Sequence, residues 1–205
     1  MVFYHLSKEV YPHVYDHWEA WYYKIRVMEI MCLTEAAQLN KMRHALIDIY
    51  LSGYATVSEY AYTSREDIWY YLEWLFRRSQ GGFFLLLHSH LPRGFISTDP
   101  EWKDLDDKRI GEIHELVVTR EFQGKGAGSL LLNRGIDFLY SREHRRIGLW
   151  VGVHNYPAIH FYLRHGFKYG PIKGIWQRMY LDLREVTAEP WVPGYPARVR
   201  PAKHI

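Results

Sequence analysis

Glu112, His114 and Glu115 place three ionisable side chains within four consecutive positions, and a glycine-rich turn, Gln123-Gly-Lys-Gly-Ala-Gly128, follows closely. A carboxylate or imidazole in such a run can take a proton from a reacting group. The turn suits a different task. Glycines let the backbone approach a phosphate, while the free N–H groups and positive dipole end of a following helix point at it. A phosphorylated ligand held beside proton-transfer groups is the chemistry these residues imply.

The commoner phosphate patterns do not fit. Lys125 is followed by Gly126 where a P-loop needs Ser or Thr, and Ser129 stands where a dinucleotide fingerprint needs its third glycine. Metal readings fail as well. His114-Glu115 lacks the second histidine of a zincin, because position 118 is Val118. His88 and His90 form an imidazole pair with no third ligand evident, so no metal site is expected.

The elements around the turn must position it. Ile110 to Val118 alternates as a strand, and Ser129 to Tyr140 has helical spacing. Simple alternation puts Glu112 and His114 on one face with Leu116 and Val118, and Glu115 on the other.

Further on, Leu149 to Val153 reads as a strand and leads into Asn155-Tyr-Pro-Ala158 and then Tyr162-Leu-Arg-His-Gly166-Phe167. Together with Gln123 to Gly128, this segment resembles the two motifs of the GNAT acyltransferases. The resemblance covers roughly Ile25 to Leu183, with its specific part between Gly111 and Phe167. It implies an α+β (mixed α/β) fold whose mixed, splayed central sheet is flanked by helices. It also implies transfer of an acetyl group from acetyl-CoA to a primary amine, by direct attack in a ternary complex. In that reading the pyrophosphate takes backbone N–H groups of Gln123, Gly124, Lys125, Gly126, Gly128 and Ser129, with Ala127 in the same turn. Lys125 is an electrostatic helper. Leu116, Val117 and Val118 lie along the pantetheine, which pairs with the strand at Val117 and Val118. Asn155 and Ala158 meet it from the far side.

Tyr162 falls at the position of the family's general acid, and its alternative role is a core aromatic. Asn155 is equally placed to cap a helix, with Pro157 following. For the base, the glutamate position of one branch of the family falls on Glu112 and a histidine position of another on His114. The order of candidates is Glu112, His114, Glu115. A bulge, common in this strand of the family, would bring Glu115 round. The alternative for all three is a solvated polar residue. The alternative for the whole chain is a non-catalytic acyl-CoA-binding or sensor module on the same fold.

The remaining elements are read from periodicity and caps. Tyr23 to Ile30 reads as a strand, and Thr34 to Tyr50 as a helix capped by Thr34. Ser64-Arg-Glu-Asp67 opens a second helix running to about Arg78, ended by Gly81-Gly82. Phe83 to Ser89 and Arg93 to Ser97 form a hairpin around Leu91-Pro92, followed by a charged loop from Glu101 to Lys108. A short helix over Pro157 to His165 and strands near Phe167 and Gln177 to Leu183 complete the order βααβββαβαββ.

With 205 residues, 48% of them hydrophobic, the chain suits one domain, expected at 23–185. Residues 1–22 form an aromatic extension in which Tyr11, Tyr15, Trp18 and Tyr22 share a helical face. That face packs on its own domain or, in a sharper reading, forms a homodimer contact. Residues 186–205 form a tail with prolines at 190, 193, 196 and 201. A net charge of +3 without a basic run disfavours nucleic acid. Cys32 is the single cysteine, which excludes an intrachain disulfide and suits a reducing compartment. The apolar run Phe83 to Leu87 is too short to span a bilayer, and a cytoplasmic location is expected. The acceptor is a small-molecule amine or a peptide or protein amine.

Overall fold

A computed structural model describes residues 28–183. The aromatic extension, the first half of the expected strand at 23–30 and the proline-rich tail lie outside the described residues. Seven strands form one sheet in the order β1-β2-β3-β4-β5-β7-β6. They are β1 (Met28–Cys32), β2 (Phe83–His88), β3 (Leu91–Lys103), β4 (Arg109–Val118), β5 (Arg146–Gly152), β6 (Lys168–Lys173) and β7 (Trp176–Asp182). Every neighbouring pair is antiparallel except β4 and β5.

Helices cover both faces, which explains why β2 is apolar at successive positions rather than alternating. Its Phe83 and Leu85 join the core under α1 (Ala36–Lys41), α2 (Arg43–Gly53) and α3 (Arg65–Ser79). Its Phe84 and Leu86 join the core under α4 (Ala127–Ser141) and α5 (Tyr156–Arg164).

The local signals were met unevenly. Ser64 caps α3, its hydroxyl accepting from the N–H of Asp67 at 3.1 Å. The helix expected over Thr34 to Tyr50 is instead two, broken at Met42, and Glu35 rather than Thr34 is its N-cap. Gln38 decides this, because its Oε1 accepts from the N–H groups of both Thr34 and Glu35, at 2.8 and 3.1 Å. The β2–β3 turn falls at Ser89-His90, both at positive φ, and not at Leu91-Pro92. From there β3 runs on through residue 103, absorbing the start of the expected charged loop.

Two irregularities in β4 create the site. Ser97 pairs with Glu115 and Thr98 with Ile113, so His114 is an extra residue, a β-bulge. The pairing of β4 with β5 covers only Gly111 to Ile113, against Ile147 to Leu149. Beyond that the strands part, leaving one edge of Glu115 to Val118 without a neighbouring strand.

Candidate active site

The parted strands open into a cleft of about 1290 Å³. Its walls are β4 past the bulge, the turn before α4, the start of α5, and the aromatic side chains of α2 and α3.

At one end lies the glycine turn. Gly126 is the N-cap of α4 at φ +88, a left-handed conformation, and no side chain caps the helix. A Cβ at Gly124 or Gly126 would meet nothing within 4 Å, so space stands open where the helix N-terminus points. The first N–H groups of a helix have no acceptor within it, which leaves those of Ala127, Gly128 and Ser129 available. Gln123 differs from expectation, since its N–H already donates to the Arg120 carbonyl at 3.3 Å. Its side chain serves the turn, donating to the Val118 carbonyl at 3.2 Å and reaching the Gly53 carbonyl at 3.5 Å. Gly53 is needed there. A Cβ on it would collide with the Val117 side chain, so only glycine lets the end of α2 sit against β4.

Lys125 does not take the place expected for its side chain, and Ala127 offers the turn only its backbone. The Lys125 ammonium lies over the Phe122 ring at 5.6 Å and stands outside the cleft wall. Ala127 is fully buried in the core. Both are left with backbone contributions. Ser129 lines the cleft, and its hydroxyl meets His165 Nε2 at 3.0 Å.

The opposite wall is α5. Asn155 caps it, its Oδ1 accepting from the Ala158 N–H at 3.3 Å, which leaves its amide NH2 for another partner. Ala158, Phe161 and Tyr162 line the cleft. Tyr162 is 8% exposed, and burial together with the charge of Glu115 pushes its phenol above the ordinary value.

The bulge reorders the acid–base candidates. Val117 joins the core beneath α1–α3, whereas Ile113, Leu116 and Val118 pack toward α4 and α5. His114 touches Trp74 of α3 and Glu115 touches Tyr54, so both face the α1–α3 side. The expected pairing of Glu112 and His114 with Leu116 and Val118 on one face is therefore incorrect. Simple alternation fails at His114, where the bulge given as the alternative brings Glu115 round to the face of His114.

Glu112, placed first among the bases, is not available for that role. It is 1% exposed and outside the cleft wall, and both its oxygens accept from Arg178, the Oε2–Nη2 contact being 2.7 Å. Arg178 is fully buried and also bonds Asp104 at 3.0 Å. Burial raises the Glu112 carboxyl above its ordinary value, and the guanidinium offsets part of that. A carboxylate clamped by a buried cation cannot reach an incoming amine.

Glu115 stands in contrast. It lines the cleft at 6% exposure and has no cationic partner among the described residues. Burial pushes its carboxyl up to about 7, against hydrogen bonds from Tyr54 (2.7 Å to Oε1) and Tyr71 that hold it down. His114 lines the cleft too, its Nε2 donating to Asp99 Oδ2 at 3.1 Å. Asp99 is fully buried and also accepts from Arg78 and from the Glu101 N–H, at 2.7 and 2.8 Å. Burial alone would raise Asp99, but these hydrogen bonds outweigh it and hold the carboxyl below its usual range.

Sequence reasoning missed Tyr54, Tyr71, Trp74, Trp102, Asp99 and Arg178 as parts of the site. The i, i+4 pair Tyr50–Tyr54 and the i, i+3 pair Tyr71–Trp74 carried a usable signal, a helical stripe of aromatics with polar tips. Arg178 carried none.

Residues 41–167 match the sequence profile of the Acetyltransferase (GNAT) family. The chain belongs to the GNAT family. It is 37% identical to PH1933 from Pyrococcus horikoshii OT3, whose crystal structure superposes with a TM-score of 0.69 over 77% of this chain and 99% of that one. It is 34% identical over 134 residues to the uncharacterized N-acetyltransferase MJ1207 of Methanocaldococcus jannaschii, covering 65% of this chain. The match spans 59% of that relative's length. The PaiA N-acetyltransferase of Thermoplasma acidophilum, solved in complex with coenzyme A, shares the fold at 20% identity, with a TM-score of 0.56 over 76% of this chain and 98% of its own. Among the described residues no helix is long and apolar enough to cross a membrane.

Proposed function

We propose that the domain at 23–185 transfers an acetyl group from acetyl-CoA to a primary amine in a ternary complex, with Glu115 as the base. The observation that carries this is an uncompensated, buried carboxyl at about 7, set in the cleft wall beside Tyr162.

In this reading the pyrophosphate rests on the turn from Gly124 to Ser129, and the pantetheine runs along the unpaired edge of Leu116 to Val118 toward Asn155 and Ala158. N–H groups of that edge stabilise the oxyanion of the thioester carbonyl. The acceptor arrives as an ammonium and loses one proton to solvent by way of Glu115. Its nitrogen then attacks the carbonyl carbon, forming the C–N bond and passing a second proton to Glu115. Collapse of the tetrahedral intermediate breaks the C–S bond. A thiol with an ordinary value of ~8.5 outbids a carboxyl at about 7, so the proton on Glu115 ends on the departing sulfur. Tyr162, raised above its ordinary value, donates a hydrogen bond to that sulfur while keeping its own proton. His114 orients the acceptor from beside the base. The acceptor is a small-molecule or peptide amine.

Calorimetric titration with acetyl-CoA tests the cofactor half. The wild type should bind, and Gly126→Val, which places a branched side chain at φ +88, should lose binding with its circular dichroism unchanged. Equal binding by the variant would remove the turn from the site. Tighter binding of NADH or ATP would replace the cofactor.

A further inference from the structure

Resting on the reading of Glu115 as base, we propose that the acceptor end of the cleft selects a primary amine carried a few bonds from an aromatic or bulky apolar group over amines that lack such a group. The first ground is a continuous wall of rings. Tyr54 packs on Tyr50 with centroids 4.7 Å apart, and Tyr50 meets Tyr71 edge-on at 6.2 Å. Tyr71 stacks on Trp74 at 6.0 Å, and Trp74 and Trp102 both stand edge-on to His114 at 4.8 Å. Tyr71, Trp74 and Trp102 are half-buried and line the cleft, so part of each ring is offered to a ligand. Such surfaces bind apolar and aromatic groups through area and edge or face contacts.

The second ground is charge. Four acidic residues cluster around this wall, and three of them are ion-paired. Asp99 is held by Arg78 and His114, and both Asp104 and Glu112 by Arg178. Of these four, Glu115 alone has no cationic partner among the described residues, which gives one ammonium nitrogen its place beside the rings. Glu59 lines the cleft as well, and Lys103 and Lys173 stand in the same walls, Lys103 paired with Asp107 at 3.2 Å.

The same chemistry is presented by a free arylalkylamine and by the first residue of a peptide with an aromatic side chain. The test measures acetyl-CoA-dependent release of coenzyme A by the full chain. Its probes are 2-phenylethylamine, a tripeptide amide beginning with phenylalanine, ethylamine, spermidine and glucosamine. At least one aryl probe should exceed the three others in kcat/KM by about 10–200-fold, the range that apolar pocket contacts provide. The better aryl probe identifies the source. Trp74→Leu and Trp102→Leu should each shrink that ratio; a ratio preserved in both overturns the ring wall as its cause. Spermidine or glucosamine matching the aryl probes overturns the selectivity and leaves acetyl transfer standing. If the protein binds acetyl-CoA but no amine releases coenzyme A, acetyl transfer and the selectivity fall together.

Discussion

The two ends of β4 carry the same side chain with opposite surroundings. Before the bulge, Glu112 is buried where β4 pairs with β5, and a buried guanidinium holds both its oxygens. After the bulge, Glu115 is buried almost as deeply, but tyrosine hydroxyls are its partners and a cleft lies in front of it. Both residues turn to the α1–α3 side. The strand residue that we propose as the base is therefore marked by having no counter-charge among the described residues and not by burial, which both share. Desolvation without a cation is what brings a carboxyl near neutral pH.

Substitutions at the two ends should separate function from stability. Glu115→Gln keeps shape and most hydrogen bonding while removing the proton acceptor, so kcat/KM should fall by roughly 10²–10⁴ with the fold intact. Coenzyme A release and a thermal melt on the same sample check both halves. Glu112→Gln should do the reverse. Removing one partner of a buried ion pair costs about 3–5 kcal/mol, so denaturant titration should show a large loss of stability, while the folded fraction retains turnover.

The dependence of stability on pH should also differ between the ends. Glu115 in the folded protein binds its proton more tightly than an unfolded carboxyl, about 7 against 4.5. Its contribution to stability is therefore lost as pH rises from about 4.5 through about 7, by about 3 kcal/mol in all. Glu115→Gln removes that loss, so its stability relative to wild type should rise between pH 5 and pH 8. A constant difference over this range would mean that the folded carboxyl titrates normally. The smallest effect is expected from Tyr162→Phe, which deletes one hydroxyl and little packing. Turnover should drop by one to two decades, about 1.4–2.7 kcal/mol, with the melting temperature barely changed. Unaltered turnover would return Tyr162 to the core.

What was legible in the sequence follows from how each part is built. The segment from Ile110 to Tyr140 is local: alternation, glycines and helical spacing lie side by side in the chain, and it folds as β4, the anion turn and α4. The capping residue Ser64 was equally plain. The helix break at Met42 and the turn at Ser89-His90 were not, because neither uses glycine or proline. The choice among Glu112, His114 and Glu115 depended on two things that no local pattern encodes. One is a bulge fixed by pairing with β3. The other is Arg178, which reaches Glu112 from a strand 66 residues away.

The most direct measurement is the pH dependence of kcat/KM at saturating acetyl-CoA, with an alkylamine and with kcat/KM referred to its neutral fraction, which rises tenfold per pH unit below ~10.4. The wild type, Glu112→Gln and His114→Gln should all show a limb that rises with pH and has its midpoint near 7, and in Glu115→Gln the limb should disappear. A limb that survives in Glu115→Gln and is lost in Glu112→Gln or His114→Gln would contradict the assignment of Glu115 as the base.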